Sequence, residues 1–225
     1  MASGEPVPSA APRPGRYGAL LLVLIASYLL SAFLTAARWL EALQVVLFTV
    51  AMLLALRSSS VSRRGVRLLL TAVIVGVPVM FVLSVSTATG DAGSGIADIW
   101  TALVLLVAAV MIVYRVLSFG TVTLQSIYGA ISAYLVIGFM FAAFFGAIYH
   151  FSGDTFFVPG EPASPQTFQY FSFTTLTTLG YGDFTAGYSS GRAVAVLEAL
   201  TGQIFLATLV ARLVAAFRVS PDRRG

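Results

Sequence analysis

The stretch from Gln125 to His150 contains no aspartate, glutamate, lysine or arginine, and most of its residues are apolar. A helix needs ~20 mainly apolar residues to cross the hydrocarbon core of a bilayer, and this stretch is long enough. Of the whole chain, 58% of the residues are hydrophobic and only 10% are charged, whereas soluble domains carry about 25% charged residues. The sequence therefore predicts an all-α membrane protein.

Six stretches reach the length of a membrane span. They are Tyr17–Ala37, Trp39–Leu56, Val66–Ser86, Ile96–Leu117, Gln125–His150 and Ser189–Phe217. With both termini inside, eleven of the thirteen arginines lie on inner segments, and only Arg38 and Arg192 lie outside. Because cytoplasmic segments are enriched in basic residues, this asymmetry favours a multi-pass protein of the cell (plasma) membrane with cytoplasmic N- and C-termini.

The composition argues against several classes of function. The chain has no cysteine, so disulfides and thiolate metal sites are excluded. His150 is the single histidine and is interpreted as an interfacial residue rather than a metal ligand. The arginines are explained by topology, so we expect no nucleic-acid partner. An intramembrane enzyme would need a nucleophile paired with a base, and the sequence has one histidine, no cysteine and no paired membrane carboxylates. We therefore expect neither enzymatic activity nor a cofactor.

The segment between the fifth and sixth spans contains a helix that is too short to cross a membrane. Phe151–Pro165 is predicted to be a polar loop on the outer side. Ser164 suits the N-cap of a helix, and Pro165 suits its first position. Gln166–Thr177 covers only about three turns, ~18 Å, so we predict a re-entrant half-helix.

A glycine-rich run, "TLGYG" from Thr178 to Gly182, follows this half-helix directly. Non-helical backbone at membrane depth is tolerated only where protein buries it or where it lines a water-filled cavity. Glycine allows the positive φ values that turn successive carbonyls the same way. Four such strands around one axis would form rings of oxygens that replace the hydration shell of a potassium ion.

This part of the chain resembles the potassium-channel family. "TTLGYGD", Thr177 to Asp183, is similar to the family's selectivity-filter signature, with leucine at Leu179 where valine or isoleucine is usual. The resemblance extends over the pore module, about Gln125–Phe217, as outer helix, pore helix, filter and inner helix. It implies that K⁺, as the permeant ion, binds to the oxygens of Thr178, Leu179, Gly180 and Tyr181, including the Thr178 hydroxyl. It also implies that Gly182 and Asp183 close the outer mouth.

Further residues are predicted to support the filter. Thr174 occupies the position where many family members place a carboxylate behind the filter. We hypothesise that Glu198 on the sixth span replaces that carboxylate, with Tyr170 or Thr174 as its partner. The alternative is an interfacial glutamate that reaches outer water. The predicted supporting residues are Asp183, Thr174, Thr177, Tyr170 and Glu198.

The sixth span is predicted to line the cavity below the filter. Gln203, Leu206 and Val210 share one stripe of the helix, and an amide in a membrane span is hard to explain on a lipid face. Gly202 has two interpretations. One is close helix packing; the other, implied by the resemblance, is a bending point for opening.

The layout of six spans and one pore loop is similar to that of voltage-gated channels, whose fourth helix carries a basic residue at every third position. Here Ile99–Tyr114 has no charge. The predicted domains are a disordered cytoplasmic tail (1–16), a four-helix sensor-like domain without gating charges (17–117), a linker (118–124), a pore domain (125–217) and a short cytoplasmic tail (218–225).

The leading hypothesis is a potassium-selective channel that is largely voltage-independent and lies in membrane lipid. Because one chain provides one filter strand, a homotetramer is expected. Alternatives are a weakly selective cation channel, since Leu179 and Thr174 depart from the commonest pattern, an ion-transporter subunit, or a non-conducting membrane partner. Whether a regulatory partner binds the first four spans is left open.

Overall fold

The computed structural model describes residues 17–33, 90–118, 122–152, 155–158 and 162–218, with scattered positions between 47 and 79. Five helices and a short antiparallel ribbon make up these residues. They are α1 (Tyr17–Phe33), α2 (Gly90–Ser118), α3 (Leu124–Ser152), β1 (Phe157–Val158), α4 (Pro165–Leu176), β2 (Thr185–Ala186) and α5 (Ser189–Arg218). The predicted second and third spans and the tails at 1–16 and 219–225 fall largely or wholly outside the described residues.

Three of the described helices are long and apolar enough to cross a membrane, over Asp91–Ser118, Leu124–Ser152 and Ser189–Ala215. They correspond to the predicted fourth, fifth and sixth spans. The 17-residue apolar helix α1 covers most of the predicted first span. The predicted fourth span is shorter than α2, which begins at Gly90 and has Asp91 in its first turn. An acidic side chain is favourable there because it faces the positive end of the helix dipole.

Helix α3 lies at the centre of the described fold and packs against α1, α2, α4 and α5. Two glycines allow these close approaches. A β-carbon at Gly129 would overlap the side chain of Val116 in α2, and one at Gly138 would overlap the ring of Phe173 in α4. Small residues at helix contacts are the usual means of close packing in membranes.

The segment between α3 and α4 differs from the predicted polar loop. β1 pairs with β2, with Phe157 opposite Ala186. Phe156 and Phe157 are 0% and 1% exposed, and their rings contact Phe168 and Phe171 of α4. This aromatic cluster holds the segment against α4. A two-residue strand carries too little periodicity to be predicted from sequence.

Candidate functional site

Helix α4 begins where the sequence predicts. Ser164 is its N-cap: Thr167 N donates to Ser164 Oγ (3.2 Å), and Ser164 N donates to Thr167 Oγ1 (2.8 Å). This capping box satisfies two amides that the helix leaves free, and Pro165 needs no partner at the first position. The helix ends at Leu176 after 12 residues, with Thr177 as its C-cap. The Thr177 hydroxyl donates to a carbonyl one turn back in α4, so this residue supports the end of the helix.

The chain turns back immediately after α4. The amides of Leu179 and Gly180 both donate to the carbonyl of Thr174, at 2.8 and 3.1 Å. The φ angle is positive at every second residue: 57° at Thr178, 50° at Gly180 and 81° at Gly182. Such alternation turns successive amides to one side of the strand and carbonyls to the other. Because the N–H and C=O of a trans peptide point in opposite directions, the carbonyls of Thr178 and Leu179 are turned away from the Thr174 carbonyl.

Thr178 is the one non-glycine residue with a positive φ in the described chain. The left-handed conformation costs a side-chain-bearing residue roughly 1–2 kcal/mol, and such strain is concentrated at functional sites. The amide of Gln203 in α5 donates from Nε2 to Thr178 Oγ1 over 3.3 Å. The structure thus places a predicted cavity residue against the first residue of the predicted filter.

A side-chain hydrogen bond also joins α4 to the C-terminal end of the strand. The hydroxyl of Tyr170 donates to Asp183 Oδ2 over 2.7 Å, while Asp183 Oδ1 accepts from the amide of Phe184 at 3.1 Å. The bond to Asp183 raises the pKa of Tyr170 to about 12, so the phenol keeps its proton at neutral pH. These two predicted supporting residues therefore contact each other directly.

Glu198 of α5 is completely buried, with 0% of its surface exposed. Its Oε1 lies 2.5 Å from the Oγ of Ser172 in α4. The same Oγ lies 2.7 Å from the carbonyl oxygen of Gly138 in α3. One serine hydroxyl therefore joins the three helices α3, α4 and α5 at one level.

The predicted partners of Glu198 were wrong, although its contact with α4 is observed. Tyr170 is bonded to Asp183, and the Thr174 hydroxyl donates to the carbonyl of Phe171 at 3.0 Å. The interfacial alternative is also wrong, because Glu198 has no exposed surface. A helical wheel shows on which face of α5 Glu198 lies. It does not show which residue of the neighbouring helix lies opposite that face. The sequence does contain one signal for this partner: Ser172 is a small hydroxyl residue between two aromatic residues of the short helix.

The predicted cavity residues divide between two environments. Gln203, Leu206 and Val210 are exposed, the latter two at 37% and 56%. Gly202 is buried instead, and a β-carbon there would overlap the carbonyl oxygen of Leu176. This contact supports the packing interpretation of Gly202, while its role as a bending point stays a prediction.

His150 lies in the last turn of α3, near two carboxylates of α2. Its Nδ1 is 3.9 Å from Asp91 Oδ1, and its Nε2 is 3.7 Å from Asp98 Oδ2. Within the part of the chain that the structure describes, no group of three or more histidine, cysteine or acidic residues could hold a metal ion.

Residues 137–219 match the family described as ion channel. This region is an ion-channel domain. The match contains all of α4, the strand that follows it and all of α5, and it confirms the resemblance to the potassium-channel family over these residues. An ion-channel domain supports passive conduction of ions across a membrane and points to a non-enzymatic protein. Neither a curated protein nor a solved structure matches the chain.

Proposed function

We propose that the protein is a potassium-selective channel that assembles as a homotetramer. The permeant ion would bind to the backbone oxygens of Thr178, Leu179, Gly180 and Tyr181. The observation that carries this proposal is the alternation of positive φ along 178–182, with the Leu179 and Gly180 amides bonded to α4. That arrangement leaves the carbonyls free to act as ligands.

The preference for K⁺ follows from the chemistry of those ligands. A cation gives up its hydration shell in a filter when carbonyl oxygens replace the lost water. One chain supplies a single strand of carbonyls, so a closed ring needs several copies about one axis. The resemblance to potassium channels implies four copies. Asp183 and Tyr170 would hold the outer end of each strand, and Thr174 would hold its inner half.

Flux from liposomes that contain the purified protein tests the proposal, with Gly180→Ala as the critical variant. No atom lies within 4 Å of a β-carbon built at Gly180, but its φ is +50°. The added methyl group would therefore act on backbone conformation alone, at a cost of roughly 1–2 kcal/mol. We expect K⁺ flux to fall sharply while assembly is retained.

The matched control is Gly18→Ala in α1, where the new methyl group would lie at an ordinary 3.7 Å from Tyr128. This variant should conduct like the wild type. If Gly180→Ala conducts K⁺ as well as the wild type does, the assignment of the filter is contradicted.

One observation favours a second candidate, a weakly selective cation channel. The Gln203 amide donates to the Thr178 hydroxyl, and this bond occupies a lone pair that would otherwise be available to an ion at the inner end of the filter. A weaker inner site would reduce discrimination between K⁺ and Na⁺. The permeability ratio of the two ions distinguishes the candidates.

A further inference from the structure

The Ser172 hydroxyl has two oxygen neighbours within hydrogen-bonding distance, and each of these two contacts needs a proton between its oxygen atoms. The neighbours are the carbonyl oxygen of Gly138 at 2.7 Å and Glu198 Oε1 at 2.5 Å. A serine hydroxyl has one proton to donate. A backbone carbonyl has none, so the second proton has to come from the carboxyl group of Glu198.

We propose that Glu198 is a neutral carboxylic acid that donates its proton to Ser172 Oγ, while Ser172 donates its own proton to the carbonyl of Gly138. The direction of this two-bond chain is fixed, because only its carboxyl end can supply the additional proton. Ser172 is then a positioning residue for the filter, and it acts through α4 rather than by contact with an ion. This inference rests on the proposed function only for its effect on conduction.

The surroundings of Glu198 support the neutral state independently of the proton count. Its side chain is fully buried, and Oε2 has no hydrogen-bond partner among the described residues. The ion pairs of His150 with Asp91 and Asp98 do not involve Glu198. A buried carboxylate without a cation is far more costly than a buried neutral acid with one unpaired carbonyl oxygen.

Tyr134 is a titratable residue of α3, and its phenol is uncharged near neutral pH. Tyr134 donates its hydroxyl proton to the carbonyl of Leu176 at 3.0 Å. It therefore ties α3 to the end of α4 and does not neutralise Glu198. An ionised Glu198 would face a neutral phenol and a serine, not a counter-charge.

The path from Ser172 to the filter is short. Thr174, two residues further along α4, accepts hydrogen bonds from both Leu179 and Gly180. The chain Glu198–Ser172–Gly138 fixes α4 against α5 and α3 immediately before this point. A shift of α4 would therefore move the backbone of the filter directly.

Infrared spectroscopy of the purified wild-type protein near neutral pH tests the protonation state. We expect a C=O stretching band of a protonated carboxylic acid that disappears in Glu198→Gln. The band should move to higher frequency in Ser172→Ala, because the acid loses its hydrogen-bond acceptor. Asp98→Asn is the matched control and should leave this band in place.

A wild-type spectrum in which Glu198→Gln removes no component of the protonated-carboxyl bands would overturn the proposal. If Glu198→Gln does not assemble, the infrared spectrum of Ser172→Ala becomes the deciding test. A carboxylic-acid band at the wild-type frequency in that spectrum would also overturn the proposal. These readouts do not depend on conduction. Absence of K⁺ flux in every variant, wild type included, would refute the proposed function without changing what the infrared bands say about the proton on Glu198.

Conduction tests the positioning role. The amide of Glu198→Gln can donate to Ser172 without carrying a charge, so its K⁺ flux should stay close to that of the wild type. Ser172→Ala removes the hydroxyl that joins Glu198 to the carbonyl of Gly138 and should lower flux roughly tenfold. Equal flux in Ser172→Ala and the wild type would contradict the positioning role.

Discussion

The hydroxyl of Tyr170 donates to the carboxylate of Asp183 over 2.7 Å, and this bond joins the middle of α4 to the C-terminal end of the strand that follows it. Thirteen residues separate the two along the chain. At the other end of the same strand, the amides of Leu179 and Gly180 are held by the carbonyl of Thr174. The proposed filter is thus attached to α4 at both of its ends.

Tyr170→Phe should loosen the outer end of the filter without unfolding the protein. The variant removes the donor but retains the ring, which contacts Phe184 at a centroid distance of 5.6 Å. We expect shorter open lifetimes in single-channel recordings. Asp183→Asn provides the other arm of a double-mutant cycle. Strictly additive effects of the two substitutions would show that the bond does not act on the open state.

Gly202→Ala should destabilise the pore domain through steric overlap with the carbonyl of Leu176. Overpacking of this kind costs typically 1–3 kcal/mol, so the midpoint of thermal denaturation in detergent should fall. Gly18→Ala introduces the same methyl group without overlap and should leave the midpoint nearly unchanged. Equal midpoints for the two variants would argue against packing as the role of Gly202 and favour the bending role.

The elements around the proposed filter could be predicted because each has a strong local signal. Ser164 and Pro165 predicted the start of α4, and the apolar stretches predicted α3 and α5 to within one or two residues. The contacts of Glu198 could not be predicted in the same way. Its partner depends on how α5 lies against α4, and helical periodicity gives a face but no register between helices.

The ribbon and the Gln203 contact were missed for related reasons. β1 and β2 are two residues each and pair across the whole of α4, so neither shows a local pattern. The stripe of Gln203 was predicted from the periodicity of the sixth span, but its bond to Thr178 depends on where the chain turns after α4.

Gln203→Leu should increase block by internal Ba²⁺, a divalent ion that competes for the inner end of a potassium filter. Loss of the amide frees a lone pair on the Thr178 hydroxyl, which then binds a cation more strongly. The measurement is the Ba²⁺ concentration for half-block of K⁺ current, and Leu206→Val on the same face serves as the control. A Ba²⁺ sensitivity in Gln203→Leu equal to or lower than that of the wild type would show that the amide does not weaken the inner site.

Opening should depend only weakly on voltage. Transfer of one charge across the membrane yields ~2.3 kcal/mol per 100 mV, and steep gating needs about 3–4 charges in each subunit. Helix α2 has no charged residue between Asp98 and Arg115, and Arg115 lies in its last turn. We expect a shallow conductance–voltage curve in symmetric K⁺. A slope equivalent to roughly ten or more charges per channel would assign voltage sensing to a segment other than α2.

The reversal potential of the reconstituted channel under opposing K⁺ and Na⁺ gradients tests the central claim most directly. Backbone carbonyls that replace the hydration shell of K⁺, arranged along 178–182 as the φ angles indicate, predict a reversal potential close to the K⁺ equilibrium potential. The same agreement should be found over a range of K⁺ concentrations. A reversal potential near zero under that gradient would contradict potassium selectivity and leave a weakly selective cation channel.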